Sequence, residues 1–98
     1  MATTPHRPSP RFVMFYFDAP AADRVALVGD FNAWNPQATP LRRRKKDGRW
    51  WARVTLLPGE YQYKFVVDGS VWHADPQNPH RVSNPHGSFN SVCIVRDA

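Results

Sequence analysis

Cysteine, glutamate and long apolar runs are scarce in this chain of 98 residues, and each scarcity excludes a class of protein. The one cysteine, Cys93, lies in an apolar run over 91–95, so an internal disulfide is excluded and a small buried core residue is expected. No apolar run approaches the roughly 20 residues that span a membrane. Residues 1–10 are polar and rich in proline without a signal-peptide core. They predict a disordered tail and a soluble, cytoplasmic protein.

Acidic residues are too few and too scattered for hydrolysis. Of the eight acidic residues, Glu60 is the only glutamate, and three of the aspartates fall at turns. A glycosidase needs two carboxylates that face each other across a cleft, and the sequence nominates no such pair. His73 and Asp75 could share a metal ion, but no third ligand has suitable spacing. We therefore expect no catalytic activity, no metal and no cofactor.

Sustained helical periodicity is also missing, and apolar and polar residues instead alternate with period two. This alternation predicts an all-β domain over residues 11–98. Turn sequences such as Asp47-Gly48 and Asp68-Gly69 make consecutive antiparallel hairpins, and the strand spacing is typical of a β-sandwich. The predicted strands cover residues 11–17, 24–28, 50–56, 61–67, 71–72 and 91–96.

Positive charge is concentrated in one place, because residues 42–46 read Arg-Arg-Arg-Lys-Lys in a chain of formal net charge +5. Such a run can bind phosphates, and with exposed aromatic side chains it would suit a nucleic acid. It leads directly into Asp47-Gly48, however, a hairpin-turn dipeptide. We favour a solvated strand end that keeps a sheet edge soluble.

Trp34 is the most informative residue of the chain. An apolar strand ends at the turn sequence Gly29-Asp30, so Trp34 falls in the loop beyond it. A large aromatic side chain on a loop offers a flat apolar face with a polar edge, which suits stacking on a pyranose ring. The alternative is that Trp34 folds back onto the core, since tryptophan is highly buried on average.

Alternation also assigns side chains to faces. In the strand over 61–67, the three aromatic residues point inward and Lys64 points outward from the middle of the strand, while Trp51 points outward from the strand before it. If the turn at 68–69 closes a hairpin, Trp72 returns alongside the strand that carries Lys64, and both can lie on one surface. The segment 73–88 contains three prolines and is predicted to be a long ordered loop.

The chain resembles the glycogen-binding modules found in the β subunit of AMP-activated protein kinase and before the barrel of branching and debranching enzymes. Four blocks carry the resemblance, and they agree with the family in order, spacing and turn residues. They are Val-Gly-Asp-Phe-Asn-Ala-Trp at 28–34, Leu-Pro-Gly-Glu-Tyr-Gln-Tyr-Lys-Phe-Val-Val-Asp-Gly at 57–69, Trp-His-Ala-Asp-Pro at 72–76, and Gly-Ser-Phe-Asn-Ser-Val at 87–92.

The resemblance implies an immunoglobulin-like, early-set antiparallel β-sandwich that binds α-1,4-linked glucan without cleaving it. Trp34 and Trp72 match the family's two stacking tryptophans, and Lys64 matches its hydrogen-bonding lysine. Asn90 matches the asparagine that bonds sugar hydroxyls. Glycogen, maltooligosaccharides and cyclodextrins are the implied ligands, and a glucan-processing enzyme or a kinase is the implied protein partner.

The loop before the last strand departs from the family pattern. Ser88 stands where the kinase-subunit modules carry threonine, and His86 stands where they carry a leucine that packs against the sugar. The histidine predicts weaker or retuned binding at this loop. Some relatives have lost sugar binding and serve as packing or protein-interaction modules, which is the alternative function. The retained tryptophans and lysine favour sugar binding.

Overall fold

Short strands joined by turns make up the regular structure of residues 8–97, the part of the chain that the computed structural model describes. The tail predicted over 1–10 therefore lies largely outside the described residues. The elements are β1 (Arg11–Phe17), β2 (Val25–Gly29), a 3-10 helix (Asp30–Asn32), β3 (Arg42–Arg43), β4 (Trp50–Leu56), β5 (Gly59–Val67), β6 (Val71–His73), β7 (Arg81–Ser83) and β8 (Phe89–Val95).

These strands form two antiparallel sheets. The smaller sheet has the order β1-β4-β3, and the larger has the order β2-β5-β8-β7 with β6 also paired to β5. On one side β5 pairs with β2, while on the other it pairs first with β8 over Gly59–Tyr63 and then with β6 over Phe65–Val67. The predicted all-β antiparallel sandwich is confirmed, and the bounds of β1 and β4 coincide with those predicted.

The core lies between the two sheets and is rich in aromatic side chains. Phe17 and Phe65 lie with ring centroids 4.7 Å apart, and Phe15 meets Tyr63 edge-on at 4.9 Å. Such pairs add to the stabilisation from buried area. The predicted inward faces of β4 and β5 are confirmed, because alternate residues of both strands belong to this core. Cys93 is half-buried and packs against the core, so the prediction of full burial was too strong.

Two short strands were missed in the sequence. Pairing of β3 with β4 continues the hairpin at Asp47-Gly48, and β7 pairs with β8 inside the segment 73–88 that was predicted to be a loop. Each has only two or three residues, which is too short for alternation to be visible. These two segments are strands only because they pair with β4 and β8 in the folded chain.

The basic run is partly used to hold the fold together. Arg43 donates hydrogen bonds to the carbonyls of Pro20 and Ala22, and its guanidinium lies 4.7 Å from the ring centroid of Trp50. Arg44 forms an ion pair with Asp47, and this bond holds the pKa of the Asp47 carboxyl well below its usual range. The prediction of a strand end is confirmed.

A buried polar cluster fixes the chain after β6 to the larger sheet. The hydroxyl of Tyr63 donates to Oδ2 of Asp75 at 2.7 Å, and the Asp75 backbone N–H donates to Oγ of Ser91 at 2.7 Å. Asn78 donates to the Tyr63 oxygen and to the carbonyl of Val92. Burial, together with Asp75, raises the pKa of Tyr63 well above its usual value. These bonds satisfy the polar atoms that the segment brings into the interior.

In the part of the chain that the structure describes, no helix has the length and apolar character needed to cross a bilayer.

Tyr63→Phe is expected to lower the free energy of unfolding by about 1–3 kcal/mol, because it leaves the Oδ2 atom of the buried Asp75 carboxylate without its donor. Urea denaturation measures this loss. Tyr61→Phe is the matched control: the Tyr61 hydroxyl donates to the Leu57 carbonyl at 2.7 Å on the protein surface, so its removal should cost less. An equal or larger loss in Tyr61→Phe would contradict the structural role of the cluster.

Candidate functional site

A cleft of about 610 Å³ lies on the outer face of the larger sheet. The structure brings all six site residues predicted from the sequence into this one cleft. Four further residues line it that the sequence analysis did not predict as site residues. The predicted residues are Trp34, Lys64, Trp72, His86, Ser88 and Asn90, and the further ones are Asp30, Gln62, Asn84 and Pro85.

Strand register explains how distant residues meet here. Alternate residues of β5 share its outer face, which places Gln62 beside Lys64. Trp72 on β6 lies level with Val66, the next outward residue of β5. Asn90 on β8 precedes Val92, which lies opposite Gln62. Alternation could therefore have found Gln62 from the sequence, because it lies two residues before Lys64.

The turn that carries Trp34 begins where β2 runs close to β5. A Cβ atom on Gly29 would lie 2.6 Å from the backbone oxygen of Gln62, so only glycine fits there. The 3-10 helix follows, and then Ala33 and Trp34 both adopt left-handed backbone conformations, with φ of 57° and 58°. Such residues cost about 1–2 kcal/mol each and persist only where surrounding contacts fix them.

Asn32 supplies several of those contacts. Its Nδ2 atom donates to the Leu27 carbonyl at 2.9 Å and to Oγ1 of Thr39 at 3.1 Å, and its Oδ1 atom accepts from the Gly29 N–H at 3.0 Å. The backbone N–H of Trp34 also donates to the Gly29 carbonyl at 3.0 Å. Trp34 thus belongs to a turn whose conformation these hydrogen bonds fix, and it lies half-buried at the wall of the cleft.

Asp30 connects this turn to the floor of the cleft. Its Oδ1 atom accepts a hydrogen bond from the indole N–H of Trp34 at 3.2 Å, and its Oδ2 atom accepts from the backbone N–H of Gln62 at 2.7 Å. In the sequence, Asp30 was explained by the turn alone. The contact with Gln62 spans 32 positions of the chain, so local pattern could not reveal it.

A second polar network shapes the loop opposite Trp34. Oδ1 of Asn84 accepts from the backbone N–H groups of His86 and Ser88, and its Nδ2 atom donates to Oδ1 of Asn90 at 3.1 Å. Asn90 in turn donates to Oε1 of Gln62 at 3.0 Å. The loop is therefore tied to β8 and β5. An asparagine that turns the chain before a proline is a sequence feature that could have nominated Asn84.

The structure adds to the prediction for Lys64 that its side chain is buried. Lys64 is on the predicted face of β5, but only 7% of its surface is exposed, whereas Trp72 remains 43% exposed. Lys64 lies in the middle of the sheet's central strand, and its Nζ atom donates to Oγ of Ser88 at 3.3 Å, so the loop lies close above it. The outward face and the surface shared with Trp72 are confirmed, whereas the covering of Lys64 was not predicted, because alternation says nothing of the loops that cover a face.

Metal coordination finds no support among residues 8–97, which contain no group of three histidine, cysteine, aspartate or glutamate side chains placed to hold an ion.

Three relatives illustrate what the chain is similar to. It is 46% identical over 84 residues to 1,4-alpha-glucan branching enzyme GlgB 2 of Rhizobium etli, covering 85% of this chain and 11% of the enzyme. It is 38% identical over 85 residues to the chloroplastic protein FLOURY ENDOSPERM 6 of Oryza sativa subsp. japonica, covering 87% and 15%. It is 39% identical over 77 residues to the chloroplastic PTST homolog 2 of Arabidopsis thaliana, covering 76% and 13%.

This chain therefore spans 15% or less of the length of these three relatives. Among solved structures, the maltogenic amylase from S. marinus superposes with a TM-score of 0.74 at 23% identity, over 92% of this chain and 14% of that one. This likeness concerns the fold and supports the sandwich described above.

A family model described as the glycogen recognition site of AMP-activated protein kinase matches residues 13–98. The match includes all four blocks that carried the resemblance in the sequence, and it includes every predicted site residue. The resemblance is confirmed, and the chain belongs to this family of glycogen recognition domains.

Proposed function

We propose that this chain binds α-1,4-linked glucan of the glycogen or starch type in the cleft on the outer face of β5, and that it does not cleave it. The observation that carries the proposal is the meeting of Trp34, Lys64 and Trp72 in one cleft, although they come from three separate segments. Family membership supports the choice of ligand.

The two indole rings supply the apolar contact. A pyranose ring has a weakly polar face, and tryptophan offers a large flat surface that gains by being covered. Trp72 keeps 43% of its surface exposed and Trp34 is half-buried, so ring area is available on both. Two stacking contacts on an open surface correspond to a Kd of roughly micromolar to millimolar, or about 4–8 kcal/mol.

Lys64, Asn90 and Ser88 supply the polar contact. Lys64 is buried, and its ammonium has three hydrogens, of which Oγ of Ser88 takes one. A sugar hydroxyl is a suitable acceptor for another, because a buried donor without a partner is costly. Asn90 uses one amide hydrogen on Gln62 and has a second to donate. His86 belongs to the same loop as Ser88 and lines the cleft, so its imidazole is available to the ligand.

Binding without cleavage follows from the carboxylates of the cleft. Asp30 is the one carboxylate among the described residues that line it, and both of its oxygens already accept hydrogen bonds. Glycoside hydrolysis requires an acid and a second carboxylate on opposite sides of the scissile bond. We therefore assign the domain a binding role and no catalytic role.

The partner proposal is a glucan-processing enzyme, which this domain would hold on its substrate. One relative is named a 1,4-alpha-glucan branching enzyme, and the matched domain is a small part of it. A kinase is the alternative partner, since the family model is described as the glycogen recognition site of a kinase. Nucleic acid is disfavoured, because Arg43 and Arg44 of the basic run are engaged within the protein.

Tryptophan fluorescence titrated with maltoheptaose at low and at high salt tests the proposal. We expect a saturable change with a Kd in the micromolar to millimolar range, because Trp34 and Trp72 become covered. We also expect little dependence on salt, because the ligand is neutral. No change up to tens of millimolar would contradict glucan binding. In a parallel titration, a saturable change with a single-stranded oligonucleotide that weakens steeply with salt would favour a polyanionic ligand instead.

Trp72→Ala is expected to weaken maltoheptaose binding by at least about tenfold while the melting temperature stays near that of the parent, because the ring is exposed and stacks on the sugar. Calorimetric titration measures the affinity. Trp51→Ala is the matched control, since Trp51 is half-buried on the outer face of the other sheet. Equal weakening in both variants would show that Trp72 acts through stability.

Lys64→Met is expected to preserve the fold and to weaken binding less than Trp72→Ala, by about threefold to tenfold, because it removes one hydrogen bond to the sugar of ordinary net strength while keeping the apolar stem. The same titration measures it. An affinity equal to the parent's would remove Lys64 from the proposed site.

A further inference from the structure

We propose that Asp30 is a positioning residue that holds the indole ring of Trp34 in the orientation needed to stack on a sugar. The proposal rests on the proposed glucan binding and extends it to a residue that need not touch the ligand. Asp30 follows directly after β2 and is joined to both the aromatic wall and the floor of the cleft.

The two hydrogen bonds that the Asp30 carboxylate accepts fix its orientation. Oδ2 is fixed to the central strand through the Gln62 backbone N–H at 2.7 Å, and this leaves Oδ1 directed at the indole N–H of Trp34 at 3.2 Å. An indole has one hydrogen-bond donor, at the edge of its ring. A hydrogen bond at that edge fixes the rotation of the ring about the Cβ–Cγ bond of Trp34.

The local backbone makes such an anchor necessary. Ala33 and Trp34 both lie in the left-handed region, and the Trp34 side chain is only half-buried. An unanchored ring would sample several rotamers, and a ligand would then have to order it on binding. With Asp30 in place the ring is ordered before the ligand arrives, so less affinity is lost.

A carboxylate suits this position better than an amide. The two groups that point at residue 30 are both donors, and a carboxylate offers an acceptor to each. In Asp30→Asn one oxygen remains, but the amide nitrogen would face an N–H group. Asparagine should therefore rescue the function only in part, and alanine not at all.

The experiment combines calorimetric titration with maltoheptaose and NMR of the four indole N–H groups in protein labelled with nitrogen-15 on tryptophan, with Trp34→Phe used to assign the Trp34 signal. In Asp30→Ala we expect the affinity to fall by about tenfold, as for loss of one hydrogen bond to a charged group. The heteronuclear NOE of the Trp34 indole should fall as well, while those of Trp50, Trp51 and Trp72 stay unchanged. Asp30→Asn should lie between parent and alanine in both readouts.

Asp47→Ala is the matched control. Asp47 is also a turn aspartate that accepts a backbone N–H, that of Arg49 at 3.1 Å, and it pairs with Arg44 away from the cleft. Its removal should lower stability without changing affinity or the Trp34 signal.

Three outcomes would overturn the assignment. The first is an affinity of Asp30→Ala within about twofold of a parent that does bind. The second is an equal loosening of all four indoles, which would indicate a merely structural role. The third is an unchanged Trp34 NOE. A parent that fails to bind maltoheptaose contradicts the proposed function instead, and the indole signals then decide by themselves whether Asp30 orders Trp34.

Discussion

Pairing of β5 with three other strands is the constraint on which both the core and the cleft depend. Its backbone bonds β2 on one side and, on the other, β8 and then β6. The strand therefore collects segments that lie far apart in the sequence. One face of β5 supplies Tyr63 and Phe65 to the core, and the opposite face supplies Gln62 and Lys64 to the cleft. Because side chains alternate, a shift of one residue would exchange the two sets.

Two hydrogen-bonded clusters on either side of β5 hold the segments that strand pairing leaves free. Inside, Tyr63 and Asp75 secure the chain that follows β6. Outside, Asp30 secures the turn after β2, and Asn84 secures the loop before β8. The polar groups of each cluster satisfy one another, which favours a single arrangement over many, although Asp30 itself is exposed. The cleft is thus shaped before any ligand enters it.

Much of this arrangement can be predicted from the sequence, because the rules involved are local. Alternation in 50–56 and 61–67 placed aromatic residues in the core and Lys64 on the opposite face, and turn sequences located the hairpins. The resemblance added roles for Trp34, Trp72 and Asn90. What was missed depends on contacts between distant segments: the burial of Lys64 beneath a loop, the short strands β3 and β7, and the hydrogen bond from Gln62 to Asp30.

The two tryptophans of the cleft are mounted in different ways. Trp34 is held at its ring edge, whereas the indole nitrogen of Trp72 makes no hydrogen bond to residues 8–97, and its ring stands on a strand of three residues. The ring of Trp34 is fixed through its polar edge, whereas the ring of Trp72 is held only through the backbone pairing of β6 with β5. In the proposed glucan complex, most of the entropic cost of ordering an aromatic wall would therefore fall on Trp72.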